Sequence, residues 1–296
     1  MSRFEIMLPY YGDVRLMQDA VRSVLAQDGD DWRLTVVDDG REPGVPEWFA
    51  ALDDPRVRYF RNEQNLGVTG NFNRCLELAE YEYLVLMGCD DLMHADYLSV
   101  VRATADREPK AAMIQPGVEV IGSDGLPYDT LADRTKRKLY APKGPGRALL
   151  GGEELAVSLL RGNWLYFPSI CWRTEAVRRF GFRADLGVIQ DLALVIDLLV
   201  AGETLATTPE VCFSYRRHAE SESSAKAFTG HRFEEAKRFF LETADRLAAF
   251  GWPQAAKVSR LHLSSRLHAL TLLPGAARHA GRSGVSAMLR HATGTR

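Results

Sequence analysis

Two pairs of adjacent aspartates each follow an apolar run in the sequence. The run over residues 83–87 leads through Gly88-Cys89 to Asp90-Asp91, and the run over residues 34–37 leads directly to Asp38-Asp39. Paired carboxylates supply the oxygen ligands that Mg²⁺ or Mn²⁺ takes in sites that also bind substrate phosphates. Asp-Asp is also common turn chemistry, so a turn or helix-capping role stays open for both pairs.

The segments around these pairs predict where the pairs lie in a fold. Strands predicted over residues 4–9, 34–37, 57–60 and 83–87 alternate with helices predicted over residues 14–27, 46–52 and 68–80. Strand–helix–strand units form parallel sheets, which bind ligands at the carboxyl ends of their strands. Pro9 and both aspartate pairs lie at such ends. The sequence therefore predicts a doubly wound α/β sheet with a ligand site at that edge.

Less regular patterns follow residue 90. Helices are predicted over residues 95–107, 153–160, 190–201, 231–250 and 254–273, and short strands over residues 113–115, 119–121, 204–206 and 211–215. The stretch Arg134–Arg147 holds six basic residues and no acidic ones, which is typical of a surface loop or of a lid over a phosphate-bearing ligand.

The composition is that of a globular protein with balanced charge. The 296 residues are 46% hydrophobic and include 37 basic and 39 acidic side chains, a net charge of −2 that does not favour nucleic-acid binding. The four cysteines are scattered without metal-ligand spacing, as expected for reduced thiols. Neither a signal peptide nor a transmembrane helix is predicted, and we expect a cytoplasmic location.

The C-terminal segment 252–296 is strongly basic. It contains seven Lys or Arg, four of the seven histidines and no acidic residue, and Leu263, Leu267 and Leu270 recur at helical spacing. This pattern fits a helix that packs on the preceding part of the chain or on a second subunit of a homodimer. It also fits a helix on an anionic membrane surface.

The order of the motifs resembles the family 2 glycosyltransferases with the GT-A fold over roughly residues 4–224. The matching motifs are Pro9-Tyr10-Tyr11-Gly12, Val36-Val37-Asp38-Asp39-Gly40, Asn65-Leu66-Gly67 with Asn73, Asp90-Asp91, Gln190-Asp191 and Tyr215-Arg216-Arg217-His218. The resemblance implies a single α/β domain over residues 1–224, with a mostly parallel central sheet flanked by helices. Its nucleotide-binding half would span residues 1–110 and its donor-sugar and acceptor half residues 111–224. A C-terminal helical extension would span residues 225–296.

The resemblance also implies roles for individual residues. The nucleotide-sugar donor would contact the residues that match the family's nucleotide-binding positions: Pro9, Tyr10, Tyr11, Asp38, Asp39, Asn65, Gly67, Asn73 and Asp90. Asp90 would bind Mn²⁺ or Mg²⁺, with Asp91 in support and His218 completing the coordination. Asp191 would be the catalytic base. Asn163, Trp164 and Gln190 would line the donor-sugar or acceptor pocket, although aromatic residues of this kind are also typical of a core.

Two positions depart from the family pattern. Gly88 stands where the family's Asp-x-Asp motif has its first acid, and Phe72 stands where a basic residue often precedes Asn73. The predicted function is an inverting transfer of sugar from a UDP- or TDP-sugar to a small-molecule, glycan or lipid-linked acceptor. A nucleotide-sugar-binding protein without transferase activity, or a nucleotidyltransferase, remains an alternative.

Overall fold

A computed structural model describes residues 4–128, 148–217, 231–279 and 281–293 of the chain. The described residues form one nine-stranded sheet with helices on both faces. The strands are β1 (Phe4–Tyr10), β2 (Trp32–Asp38), β3 (Val57–Arg61), β4 (Tyr83–Leu86), β5 (Leu92–Met93), β6 (Met113–Ile121), β7 (Ala148–Gly151), β8 (Cys171–Arg173) and β9 (Thr204–Arg216).

The helices fall between the strands and then fill the C-terminal part of the chain. They are α1 (Val14–Leu25), α2 (Val45–Leu52), α3 (Gly67–Leu78), α4 (Tyr97–Arg107), α5 (Gly152–Arg161), α6 (Thr174–Arg178), α7 (Gln190–Val200), α8 (His231–Phe250), α9 (Pro253–Leu261), α10 (Leu263–His279) and α11 (Gly281–Thr293). Asp13 accepts hydrogen bonds from the first-turn amides of α1, as expected for a capping residue.

The strand order is β3-β2-β1-β4-β8-β6-β9-β5, with β7 paired to β9. Strands β1 to β4 pair in parallel, and Ile6 lies opposite both Leu34 and Val85. Strand β8 pairs antiparallel with β4 and β6, whereas the long β6–β9 pairing is parallel. This architecture confirms the predicted α/β fold with a mostly parallel central sheet, flanking helices and a helical C-terminal region. The carboxyl ends of β1, β2 and β4 share one edge.

Alternate side chains of the central strands enter two separate cores. In β1, Ile6 and Leu8 pack on one face and Met7 on the other. In β4, Val85 and Leu84 divide in the same way. Because both faces are buried, β4 and residues 6–9 of β1 read as continuous apolar runs.

The C-terminal helices belong to one of these cores. Phe239 and Leu247 of α8 and Ala255 of α9 pack in the same cluster as Leu194 of α7 and Trp172 of β8. The predicted domain boundary at residue 224 and the basic stretch over residues 134–147 both lie outside the described residues.

Three details of the predicted elements are wrong. The strands expected over residues 113–115 and 119–121 are one strand, β6, because a bulge at Pro116-Gly117 keeps it paired with β9. The strands expected over residues 204–206 and 211–215 are likewise one strand, β9. The helix expected over residues 254–273 ends at His262, which adopts a left-handed conformation with φ +33°.

The leucine stripe of the C-terminal segment lies on the surface. Leu263, Leu267 and Leu270 of α10 are exposed, while Ala269 on another side of the helix is buried. In the described part of the chain no helix has the length and apolar character needed to cross a membrane. Docking of this stripe on a membrane surface or on a second subunit stays a prediction.

Candidate active site

The carboxyl end of β4 is tied to the end of β9 through Asp91. This side chain is only 1% exposed, and its Oδ1 accepts a hydrogen bond from the Arg216 backbone N–H at 2.7 Å. The Arg216 guanidinium in turn donates from Nε to the Asp90 carbonyl at 2.7 Å and from Nη1 to the Gly122 carbonyl at 3.1 Å. Asp91 and Arg216 therefore fix the loop that carries Asp90, which is half-buried.

The same loop contains an unpaired buried oxygen. Oδ2 of Asp91 has no hydrogen-bond partner, and burial, reinforced by repulsion from Asp90, raises the pKa of Asp91 well above its usual value. A Cβ atom at Gly88 would lie 2.4 Å from this oxygen and 3.0 Å from Oδ1 of Asp90. Glycine thus leaves room for both carboxylates.

The chemistry of these donors fits a hard divalent cation. Mn²⁺ and Mg²⁺ prefer carboxylate oxygens, and a positive charge would favour the ionised form of Asp91. Asp90 and Asp91 are the described residues that would hold such an ion. Among the described ranges no group of three or more His, Cys, Asp or Glu side chains is arranged to hold a metal. His218, the third predicted ligand, lies outside those ranges.

The Asp38 carboxylate at the end of β2 is buried and bonded within the protein. Its Oδ1 accepts a hydrogen bond from the Gly40 N–H at 2.8 Å, and its Oδ2 accepts from the Tyr59 hydroxyl and from Nε of Arg61 at 2.8 Å. These contacts join β2 to β3 and to the turn after β2. Contact between Asp38 and a nucleoside stays a prediction.

Asp39 fixes the start of α3. Its carboxylate accepts hydrogen bonds from the backbone N–H groups of Leu66 and Gly67 at 2.8 and 2.9 Å, and from Nδ2 of Asn62 at 2.8 Å. Asn65 donates to the Asp39 carbonyl at 2.9 Å. Gly67 has φ +70°, a left-handed conformation that favours glycine. The predicted Asn-x-Gly turn and Asp39 therefore form one unit at the sheet edge.

Asn73 and Phe72 have structural contacts further along α3. The Asn73 amide pairs with the backbone of Phe182, donating to its carbonyl at 2.9 Å and accepting from its N–H at 2.8 Å. Phe72 packs among the rings of Phe167 and Phe182 at 5.3 and 5.1 Å. The residue that replaces the family's basic side chain is therefore part of an aromatic cluster, which explains its apolar character.

The loop after β1 offers an aromatic surface. Tyr11 is 64% exposed, and Pro9, two residues earlier near the end of β1, is partly exposed. Tyr10 is fully buried and donates its hydroxyl to the Gly12 carbonyl at 2.9 Å. Tyr11 is thus the tyrosine of this pair that a nucleoside base can reach.

Asp191 lies in the first turn of α7. Its Oδ2 accepts a hydrogen bond from Nδ2 of Asn163 at 3.1 Å, so the structure brings these two predicted site residues together. Gln190 is buried, and its Oε1 has no hydrogen-bond partner. Trp164 is 8% exposed and donates from Nε1 to the Ser158 hydroxyl at 3.0 Å, which gives it a place in the core.

Tyr215 of β9 connects the two groups of acids. Burial is the main reason that the pKa of its hydroxyl is raised well above the usual value, and the negative charges of Asp91, Asp90 and Asp191 raise it further. Its ring also packs 5.4 Å from that of Tyr166. Contacts connect Tyr215 to both regions. The next residue, Arg216, donates its N–H to Asp91 of the β4 loop, and Tyr166 lies three residues after Asn163, which donates to Asp191.

Sequence reasoning named Tyr215 and Arg216 as parts of a motif but gave them no role. Asn71, which donates from Nδ2 to the Val37 carbonyl at 2.9 Å and accepts from Asn62 at 3.0 Å, was missed altogether. The signal available for Asn71 was an amide on the predicted helix that follows an Asn-x-Gly turn.

Comparison with known sequences matches the chain to one family. The sequence profile described as "Glycosyl transferase family 2" matches residues 5–153, half of the chain. The putative teichuronic acid biosynthesis glycosyltransferase TuaG of Bacillus subtilis is 25% identical over 223 residues, which cover 75% of this chain and 81% of that protein. Other curated relatives are matched over as little as 14% of their own length.

Two solved structures have a similar fold. TarS 1-349 of S. aureus in complex with UDP-GlcNAc has a TM-score of 0.63 at 14% identity, over 99% of this chain and 92% of that chain. Mannosyltransferase PcManGT from Pyrobaculum calidifontis in complex with GDP-Man and Mn²⁺ has a TM-score of 0.59 at 17% identity, over 99% and 86% of the two chains. At these identities the likeness shows a shared GT-A fold.

Proposed function

Since this chain belongs to glycosyl transferase family 2, we propose that it transfers a sugar from a UDP- or TDP-sugar to an acceptor hydroxyl, with inversion at the anomeric carbon. The acceptor is a small molecule, a glycan or a lipid-linked sugar. The family membership supports the reaction class. The nucleotide, the inversion and the acceptor belong to the proposal.

The observation that carries the proposal is the set of contacts that joins the end of β9 to both groups of acids. The Arg216 N–H donates to Asp91 at 2.7 Å, the ring of the preceding Tyr215 packs 5.4 Å from that of Tyr166, and Asn163, three residues before Tyr166, donates to Asp191 at 3.1 Å. Asp90 and Asp91 follow the strand end where an α/β sheet binds its ligands, and Asp191 opens a helix from the other half of the chain. The negative charges of all three also help to raise the pKa of the Tyr215 hydroxyl, after the larger effect of burial. A donor diphosphate beside Asp90-Asp91 would therefore place its sugar toward Asp191.

In the proposed reaction Asp191 acts as general base. Its carboxylate takes the proton of the acceptor hydroxyl, the hydroxyl oxygen bonds to the anomeric carbon, and the bond from that carbon to the phosphate oxygen breaks. The nucleoside diphosphate leaves with the bonding electrons. Asn163, which donates to Asp191 Oδ2, orients the carboxylate.

The donor is held by residues of the nucleotide-binding half. Tyr11 forms an exposed wall for the base, and the unit built by Asp39, Asn65 and Gly67 shapes the adjoining edge. Asp90 and Asp91 would hold Mn²⁺ or Mg²⁺. When bound, such an ion supplies positive charge that stabilises a departing diphosphate.

A thermal-shift screen tests this assignment. UDP-, TDP- and GDP-sugars are added with MnCl₂ or with EDTA. A donor at 100 times its Kd adds about 2.7 kcal/mol to the free energy of unfolding, a rise in Tm of roughly 5 °C for a chain of this size. We expect UDP- or TDP-sugars to stabilise the protein, more so with Mn²⁺.

Asp90→Asn provides the control for the metal. It should lose the extra stabilisation that Mn²⁺ gives and keep the Tm of the ligand-free protein. Stabilisation by GDP-sugars alone, or by none of the three nucleotide classes, would contradict the proposed donor. An equal shift in MnCl₂ and in EDTA would contradict the metal role.

A further inference from the structure

A carboxylate from the C-terminal region contacts the segment that leads to Asp191. Glu235 of α8 accepts hydrogen bonds from three successive backbone N–H groups. Its Oε2 accepts from Gly187 at 3.1 Å, and its Oε1 accepts from Val188 at 2.9 Å and from Ile189 at 3.3 Å. Ile189 immediately precedes Gln190-Asp191.

Glu235 provides a capping contact at the N-terminus of α7 that the residues of this helix do not provide. Ile189 is the N-cap residue of this helix and makes no side-chain capping hydrogen bond. In a capping box, a Glu or Gln in the third position of the helix accepts from the N–H of the N-cap residue. In α7 that position is Leu192, which cannot accept. Glu235 supplies the missing acceptor from another helix, and its negative charge favours the helix N-terminus.

The same segment is held from its other side by α3. Asn73 pairs with the backbone of Phe182, and the Thr69 hydroxyl donates to the Leu186 carbonyl at 3.2 Å. From α8, Arg238 donates to the Asp185 carbonyl at 2.7 Å. The approach to α7 is therefore fixed between the nucleotide-binding half and the C-terminal helices.

We propose that Glu235 is a positioning residue for sugar transfer, which holds the first turn of α7 so that the Asp191 carboxylate faces the donor. Glu235 acts through the backbone of Gly187, Val188 and Ile189 and does not touch substrate. This inference rests on the proposed function, because it takes Asp191 as the base. It also makes a helix beyond the region matched by the family profile necessary for full turnover.

The expected effect is a loss of turnover without a loss of donor binding. A displacement of about 1 Å in a reacting group costs up to about 100-fold in rate. We expect Glu235→Ala to lower kcat by about 10-fold or more and to leave the KM for the donor close to the wild-type value. Glu235→Gln keeps one acceptor oxygen for Val188 and Ile189 but turns an amide N–H₂ toward Gly187. It should recover part of the lost kcat.

Glu153→Ala is the matched control. Glu153 is also half-buried and also caps a helix from a distance, since its Oε1 accepts from the N–H groups of Gln254 and Ala255 at the start of α9, at 2.6 and 3.0 Å. Glu153→Ala should lower the Tm about as much as Glu235→Ala does. It should not change kcat, because α9 carries none of the proposed site residues.

The experiment combines hydrogen–deuterium exchange with kinetics on the full chain. Amide exchange is followed over residues 187–192, and kcat and KM are measured from nucleoside diphosphate release, using the donor that stabilises the protein most. We expect faster exchange in this segment for Glu235→Ala but not for Glu153→Ala, together with the selective loss of kcat. Unchanged exchange, or faster exchange with wild-type kcat, would overturn the positioning role.

Failure of the proposed function gives a different result. If Asp191→Asn, measured in parallel, keeps wild-type turnover, the base assignment fails whatever Glu235 does. If the wild-type chain turns over no donor, the transferase assignment fails. In that case the exchange measurement alone decides whether Glu235 holds the start of α7, and unchanged exchange rejects it.

Discussion

A side chain at position 88 would meet the carboxylates that follow it. Oδ1 of Asp91 is already bonded to the Arg216 N–H, so this side chain cannot rotate away from a Cβ at 2.4 Å from Oδ2 without losing that bond. Glycine at position 88, where the family has an acid, therefore leaves the space that the Asp91 carboxylate occupies.

Gly88→Ala tests this account of the β4 loop. The added methyl group should displace Asp91 and lower the free energy of unfolding by roughly 1–3 kcal/mol, as for other overpacked sites. Chemical denaturation measures the change. Gly187→Ala is the control, since its Cβ would meet nothing closer than 3.6 Å. Equal stability of Gly88→Ala and wild type would show that Asp91 moves freely.

The sequence predicted that these acids lie at a strand end, but it did not predict the residues that they contact. The end of an apolar run places Asp90 and Asp91 at a strand end, because strand continuity is a local property. The bond from Arg216 to Asp91 joins residues 125 positions apart and depends on the pairing of β9. No local pattern reports such a contact. The burial of Asp38 was not predicted for the same reason, because it also depends on residues distant in sequence.

The break between α9 and α10 shows how tertiary contacts overrule a periodic pattern. One helix was predicted over residues 254–273, within which Leu263, Leu267 and Leu270 recur at helical spacing. His262 ends α9 instead, stacked on Phe240 at 5.6 Å and 12°, with Nδ1 bonded to the Arg260 carbonyl at 3.0 Å. The residue that ends a helix in the left-handed conformation is usually glycine. The sequence at His262 therefore does not predict the break, which depends on the packing of this side chain.

The paired imidazoles at this break predict a pH-dependent stability. Burial lowers the pKa of His291 to about 4 and lowers that of His262, and both are further lowered by the positive charges of Arg266 and Lys237. Their rings lie 5.4 Å apart. An unfolded histidine has a pKa of about 6.5, so between about pH 6.5 and pH 4 the unfolded chain binds more protons. The free energy of unfolding should therefore fall as the pH drops through this range.

Melting temperatures from pH 7.5 to pH 5 check this expectation. His291→Gln removes one of the buried titrating groups and should flatten the decline relative to wild type. His268→Gln, at an exposed position of α10, should leave the slope unchanged. Parallel slopes for wild type and His291→Gln would refute the role of His291.

In the molecule as a whole, one sheet with its two cores connects the carboxyl ends of β1 to β4 with the helix that carries Asp191. The parallel strands β1 to β4 were predictable because local periodicity and short connections determine them. Strands β5, β7 and β8 were not predicted, since two to four residues carry too little pattern and their pairing depends on distant partners. The packing of α8 on α7 and β8 also escaped prediction, although it supports the helix that carries Asp191.

Two regions of the molecule have different roles in the proposed reaction. In the proposed reaction the β1–β4 edge would bind the donor, and α7 would bring the base to it. A variant that affects only the base should therefore separate turnover from binding. This separation would not be expected of a protein that binds nucleotide sugars without catalysis.

Release of nucleoside diphosphate by Asp191→Asn is the measurement that tests the account most directly. With Mn²⁺ and a saturating donor, kcat should fall by about 10²–10⁴-fold, while the donor should still raise the Tm as it does for wild type. Asp197→Asn, on the same helix but paired with Arg246 at 2.5 Å, should retain turnover. Near wild-type kcat in Asp191→Asn would contradict the central claim that Asp191 is the base of a sugar transfer.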